Sequence, residues 1–316
     1  HDYLMIFTAR GHCHWLKVHE IPEAGRASRG KPIINLLALS ADERIASIVP
    51  VREFRDDRFL MFVSRRGVVK KTALSAYRHV RVVGVNAINI TDDDELIDVQ
   101  ITSGNDQVIL ATYEGMAIRF HESDVREMGR VATGVRGIRL RPQDAVVGMV
   151  VVHHESHDDA TLLVVTEKGR GKRTNIDDYR FQTRGGQGVI NFRINDQSGK
   201  VVAIKSVLET DELMLITRRG IVNRQPVDEI RVIGRNTQGV RVMAIDDGDV
   251  LMDVARVVPD DDTDLEGAVG DELVTDGDAL LADAFDVAGA DAMLADEYDV
   301  ADADSFTADD DDAIDE

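Results

Sequence analysis

The chain has 316 residues, room for one large or two ordinary domains, and 43% of them are hydrophobic, which suffices for a sizeable core and excludes global disorder. No apolar run reaches about 18 residues, so no transmembrane helix is expected, and a single cysteine, Cys13, excludes a disulfide framework or a cysteine-built zinc site. The net charge of −21 is unevenly spread: residues 259–316 hold 23 of the 58 acids and neither Lys nor Arg, leaving 35 acids against 37 bases in residues 1–258.

Taken in chain order, the predicted elements repeat. An apolar strand, Tyr3-Leu4-Met5-Ile6-Phe7, is followed by Arg10-Gly11. The pattern returns as Phe59–Val63 before Arg66-Gly67, Val108–Ala111 before Glu114-Gly115, Leu162–Val165 before Lys168-Gly169 and Leu213–Ile216 before Arg219-Gly220. The glycine spacings are 56, 48, 54 and 51 residues. A polar residue and a glycine after an apolar run read as a hairpin turn, with glycine supplying positive φ.

A second glycine set follows the first at offsets of 19, 17, 19, 19 and 19: Gly30, Gly84, Gly134, Gly188 and Gly239. Four and six residues beyond each stand apolar pairs: Ile34/Leu36, Ile88/Ile90, Ile138/Leu140, Phe192/Ile194 and Met243/Ile245. A spacing of two predicts a strand with one buried face. A last strand closes each unit, over Ile45–Val51, Glu95–Ile101, Val146–Val152, Val201–Val207 and Val250–Val257. Four short strands per fixed period predict an all-β chain of propeller-like blades, in units of roughly 1–54, 55–104, 105–157, 158–208 and 209–258. The segment 259–316, acidic and without basic partners, is expected to be disordered.

Function is read from the second glycine set. Gln182-Thr183-Arg184-Gly185-Gly186-Gln187-Gly188 is a tight basic loop whose backbone N–H groups and arginine suit phosphate. Its counterparts carry Arg29, Arg81, Arg130 and Arg235 within four residues of the glycine. A basic residue recurring with the blade puts positive charge around one rim, and duplex DNA can be bent along such a rim through phosphates alone. The alternative is a set of exposed arginines balancing nearby acids. The predicted DNA-contacting residues are Arg29, Lys70, Lys71, Arg81, Arg136, Arg139, Lys172, Arg173, Gln182, Arg184, Gly185, Gly186, Gly188, Arg235 and Arg241.

Searches for catalytic chemistry return little. Tyr77 and Tyr179 share a repeat position with Ile21, Val125 and Ile230, which marks packing. His153, His154 and His157 read as a solvated loop cluster, and Gly169-Arg170-Gly171-Lys172 lacks the spacing of a nucleotide-binding loop.

Phrases such as Trp15-Leu16-Lys17-Val18, Gly30-Lys31-Pro32-Ile33-Ile34-Asn35-Leu36-Leu37, Thr133-Gly134-Val135-Arg136-Gly137-Ile138-Arg139-Leu140 and Val232-Ile233-Gly234-Arg235-Asn236-Thr237-Gln238-Gly239-Val240 carry a further signal. Over residues 1–258 the sequence resembles the C-terminal DNA-wrapping domain of the DNA gyrase A subunit. The topoisomerase IV A subunit is the near relative. The resemblance implies a six-bladed β-pinwheel in which blades exchange strands. The family's box, Gln-Arg-Arg-Gly-Gly-Lys-Gly, is matched at Gln182, Arg184, Gly185, Gly186 and Gly188, with Thr183 and Gln187 departing from it. Since that box belongs to the family's first blade, a first blade and a catalytic region are expected before His1. The resemblance further implies a non-catalytic wrapping module with no cofactor of its own. The parent would be an ATP-dependent type II topoisomerase using ATP and Mg. Its partners would be duplex DNA, the A-subunit dimer and the gyrase B subunit, with no membrane, in the cytoplasm on the chromosome. The acidic tail is expected to modulate wrapping, and a protein-interaction propeller is the reading from another class.

Overall fold

The structure, a computed structural model, describes residues 2–23, 30, 32–37, 39, 43–79, 81, 83–154 and 159–257. Among these the chain is all-β, interrupted only by short 3-10 turns. The strands are β1 (Tyr3–Thr8), β2 (His12–Lys17) and β3 (Ile45–Val51) in the first unit. The second unit has β4 (Phe59–Ser64), β5 (Val68–Ala73), β6 (Val85–Asn86) and β7 (Leu96–Thr102), and the third β8 (Gln107–Thr112), β9 (Met116–His121), β10 (Val135–Arg136) and β11 (Val146–Val152). The fourth has β12 (Thr161–Thr166), β13 (Arg170–Asn175), β14 (Val189–Ile190) and β15 (Val201–Val207), and the fifth β16 (Glu212–Thr217), β17 (Val222–Pro226), β18 (Val240–Arg241) and β19 (Leu251–Val257).

Each blade is completed by the next unit. The sheets run β3-β1-β2-β6, β7-β4-β5-β10, β11-β8-β9-β14 and β15-β12-β13-β18, so the short fourth strand always comes from one unit further along the chain. The fifth sheet, β19-β16-β17, has three strands. Successive blades touch through β3, β7, β11, β15 and β19, which places these at the hub and the exchanged strands at the outer rim. The exchanged strands are only two residues long and begin directly after the second-set glycine. The apolar residues expected to form them lie just beyond: Ile88, Ile138 and Phe192 turn inward into the core instead of extending the pairing.

The core lies between blades, which explains why the central strands read as unbroken apolar runs. In β4, Leu60 and Phe62 pack on the first blade with Met5, Phe7 and Tyr77, while Met61 and Val63 pack on the third with Val108, Leu110 and Phe120. A strand buried on both faces cannot alternate in polarity. Equivalent clusters join blades three and four around Leu162 and Tyr179, and blades four and five around Leu163 and Leu213. On the fifth blade the outer face has no further blade described against it, and Ile216 and Val222 are exposed.

Four of the five hairpins are built alike. A Ser or Thr three residues before the glycine (Thr8, Ser64, Thr112, Thr217) accepts the N–H of the residue after the turn through its hydroxyl, at 3.1–3.2 Å. In the fourth blade the Thr166 hydroxyl donates to the Arg170 carbonyl instead (3.1 Å). At this position, Thr8, Ser64, Thr112, Thr166 and Thr217, the pairing with the hub strand shifts register in all five blades. The exchanged segment seats on the glycine. Gly115 (φ 79°) has its carbonyl hydrogen-bonded by the N–H groups of Asn191 and Phe192 at 2.8 and 3.1 Å. A Cβ there would lie 2.4 Å from the carbonyl oxygen of Phe192, so only glycine fits.

Candidate nucleic-acid interface

The exchanged strands and the loops leading into them form one hydrogen-bonded chain along the rim. Three joints share one geometry. The residue five past a second-set glycine donates its N–H to the carbonyl two before the next: Asn89 to Ala132 (3.3 Å), Arg139 to Gly186 (2.8 Å) and Arg193 to Thr237 (2.9 Å). Arginines four before the glycine add a second joint. Arg184 donates through its Nη1 to the carbonyl of Arg136 (3.1 Å) and through Nε to that of Asp124 (2.8 Å), and Arg235 donates to the carbonyl of Ile190 (2.9 Å). Consecutive loops are thereby held in register.

The chemistry of this edge is one-sided. The segments 78–91, 129–141, 180–193 and 231–243 contain 12 arginines and no acid. Arg136, Arg139, Arg193 and Arg241 are exposed and make no ion pair among the described residues. The hairpin turns differ. Arg65 pairs with Glu95 (2.7 Å), Arg66 with Asp93 (2.5 Å) and Lys200 with Glu114 (2.6 Å), so the charge of those turns is largely balanced. The near-neutral body thus balances its hairpin-turn charge locally, while along the edge only Arg78 is ion-paired among the described residues, with Asp56 (3.5 Å).

The DNA gyrase C-terminal domain, beta-propeller family matches residues 2–52, 58–103, 106–153, 160–207 and 211–257, one segment per blade. The chain belongs to that family. The DNA gyrase A subunit of Lawsonia intracellularis (strain PHE/MN1-00) is 45% identical over 248 residues, 78% of this chain and 30% of the relative. A solved structure of the C-terminal domain of DNA topoisomerase IV superposes with a TM-score of 0.74 at 28% identity, covering 81% of this chain and 79% of the other. A DNA gyrase A C-terminal domain superposes with a TM-score of 0.71 at 26% identity, over 82% and 83% of the two chains. This chain spans about a third of the length of the curated relatives it matches.

Within this gyrase-type domain the sequence-predicted residues divide into three groups. Arg81, Arg136, Arg139, Gln182, Arg184, Gly185, Gly186, Gly188, Arg235 and Arg241 lie on or beside the rim chain, and Arg29 falls outside the described residues. Gly185 donates its N–H to the carbonyl of Gly137 at 2.5 Å, and Gly186 receives the Arg139 N–H, so the box-like loop is bonded to its neighbour on both sides. Gly188 (φ 77°) crosses so near β9 that a Cβ would lie 2.2 Å from the Ala117 oxygen. Gln182 is half-buried beneath the loop, and its Nε2 is buried without a partner.

Lys70, Lys71, Lys172 and Arg173 form the third group, and the expectation that they contact phosphate is corrected by their burial. Lys70 and Lys172 are 0% exposed. The Lys71 ammonium donates to the Glu122 carbonyl (3.2 Å) and lies 3.7 Å from its buried carboxylate. Arg173 donates to the carbonyl of Ile230 (2.6 Å), as Arg119 does to those of Ile176 and Tyr179 (2.8 and 3.0 Å). These cations latch a turn of one blade (a 3-10 turn for Lys71 and Arg119) onto the strand of the blade before it. A lysine two or three residues past a hairpin reads as solvent-facing only if one face of the strand is wet, and here neither is. Arg130 lies on the rim as its place before Gly134 suggests, and Arg141 and Arg193 also belong to the rim segments, although distance to the glycine does not single out these two. Their signal is the run of basic residues without any acid.

Tyr77 and Tyr179 are buried, as packing positions should be, and Tyr179 donates its hydroxyl to Asn191 Oδ1 at 2.6 Å. His153 pairs with Asp106 at 3.0 Å, and His157 lies outside the described residues. Among the described residues no three or more His, Cys, Asp or Glu side chains converge on a metal-sized site, and no helix is long and apolar enough to cross a membrane.

Proposed function

We propose that this chain binds duplex DNA along its arginine rim and bends it. In the parent protein this wrap would deliver a DNA segment to the cleavage region of a gyrase-type topoisomerase. The observation that carries the proposal is the rim itself: a strand-exchanged edge in which acid-free, arginine-bearing loops are bonded into one continuous register. Charge repeated at blade spacing suits a polymer of repeating phosphates and reads no base. The family membership supports the same reading. Assembly with an A-subunit dimer, ATP hydrolysis by a B subunit, and negative supercoiling belong to the whole enzyme. The segment 259–316, with 23 acids and no base, would compete with DNA for the rim and so limit wrapping. The topoisomerase IV counterpart, acting in decatenation, is the second reading, favoured by the superposition on that enzyme's domain.

The test is duplex affinity across a salt series. Each neutralised phosphate contributes roughly −0.9 to the slope of log K against log salt. Simultaneous contact by Arg136, Arg139, Arg193 and Arg241 predicts a slope of about −3.6 or steeper by that rule. Removing any one of them should flatten it by about 0.9, equally on unrelated base sequences. Absence of binding at low salt, or a slope untouched by all four substitutions, refutes the proposal.

A further inference from the structure

Two lysines occupy the same place in two blades. Lys70 and Lys172 each stand three residues past a hairpin glycine, on β5 and β13, and each is fully buried. The Lys70 ammonium donates to the carbonyls of Ala87 and Arg130. The Lys172 ammonium donates to the carbonyls of Gly234 (3.0 Å) and Arg235 and to Thr237 Oγ1 (3.2 Å). Arg130 and Arg235 are themselves equivalent, each four residues before a second-set glycine. The same contact is therefore made twice: a buried ammonium under the rim grips the backbone carbonyl of a rim arginine. Each ammonium also lies over an aromatic ring, Lys70 Nζ 4.9 Å from the Phe62 centroid and Lys172 Nζ 5.3 Å from that of Phe192.

The physical consequence is orientation. A buried carbonyl left without a donor is costly, so acceptors converging under a loop demand a multivalent donor there. An ammonium has three N–H groups and no acceptor, and it meets Gly234, Arg235 and Thr237 at once. With the arginine's carbonyl fixed inward, its peptide plane is fixed, and the side chain leaves toward the rim, where Arg235 reaches Ile190. The third blade has Ile118 in this register, with a Cβ at Gly186 only 3.6 Å from its Cδ1. There the loop contains three glycines, and Arg184 is held by two backbone carbonyls instead.

We infer that Lys70 and Lys172 are positioning residues for DNA binding, acting through Arg130 and Arg235 without touching DNA. This rests on the rim being the DNA-binding surface. The test uses the 316-residue chain, a short duplex at low salt, and the set Lys172→Met, Arg235→Ala and the double variant. Lys172→Met should weaken binding by about tenfold, the loss of charge-assisted hydrogen bonds that order the loop. It should leave the salt slope unchanged, whereas Arg235→Ala flattens it by about 0.9. In the Arg235→Ala background the lysine substitution should cost less than about twofold, since its partner is gone. Amide exchange at residues 234–239 should quicken. Thr237→Val removes one acceptor without disturbing the buried stem, and a loss of about two- to threefold from it supports the inference even if Lys172→Met folds poorly. A Lys172→Met loss that persists in full without Arg235, or a slope that flattens as for a direct contact, overturns the inference while the DNA reading stands. If the unaltered chain does not bind, both fall.

Discussion

Substituting alanine for the hairpin glycines separates the cost of backbone conformation from the cost of strand exchange. Gly115 and Gly220 have nearly the same φ, 79° and 83°, so an alanine at either bears the same left-handed penalty of about 1–2 kcal/mol. Their surroundings differ. A Cβ at Gly115 would lie 2.4 Å from the Phe192 oxygen and 3.0 Å from Ile194, whereas at Gly220 nothing among the described residues lies within 4 Å. At Gly115 the exchanged segment must retreat, weakening two hydrogen bonds worth about 1 kcal/mol each and part of the Phe192 packing. Gly115→Ala should therefore cost about 3–5 kcal/mol and Gly220→Ala about 1–2 kcal/mol. Urea unfolding followed by circular dichroism, with both variants fitted at a common slope, measures the difference. Gly169→Ala, where the oxygen of Met243 would lie 2.3 Å away, should behave like Gly115→Ala. Equal losses at Gly115 and Gly220 would refute the seating of the exchanged strand on the hairpin.

Buried charge gives two more expected outcomes. His14 is buried, and its burial lowers its pKa below the ordinary 6.5, so the unfolded chain takes up the proton first as pH falls. Stability should decline as pH drops below about 6.5 and this decline should shrink in His14→Leu, read from melting temperatures between pH 7.5 and 5; an unchanged pH profile contradicts it. Lys71→Met removes the cation beside the Glu122 carboxylate, which is 0% exposed and keeps only the Thr102 hydroxyl and the Asp106 N–H (2.7 Å each), and should cost about 3–5 kcal/mol, with much of the loss recovered by adding Glu122→Gln. A loss below 1 kcal/mol would show that the pair is not a buried ionic latch.

The repeat is legible in the sequence because geometry demands it. Close contact enforces glycine at four hairpins (Gly11, Gly67, Gly115, Gly169) and four crossings (Gly84, Gly134, Gly188, Gly239), so position alone exposes the repeat, and the hub strands Ile45–Val51, Val146–Val152 and Val201–Val207 match the reading residue for residue. The exchanged strand is shorter than its alternation suggests, because Ile88, Ile138 and Phe192 alternate like strand residues yet serve as plugs between blades. The rim arginines are legible through their repetition next to glycine. The buried lysines are not, since no local pattern distinguishes a lysine under a loop from one in solvent. Only the packing of blades on both faces of β5 and β13 makes the difference. The hydrogen-bonded joints between loops are also invisible in sequence, because they are made by backbone groups that every residue carries.

The central claim is that the rim bends DNA. Sealing nicked circular DNA in the presence of the chain, with and without residues 259–316, at low salt and again at moderate salt, tests it most directly. A change in linking number that grows when the acidic segment is removed, and fades as salt rises, is the predicted result. An unchanged linking number with both chains, under conditions where the duplex is bound, would contradict the account.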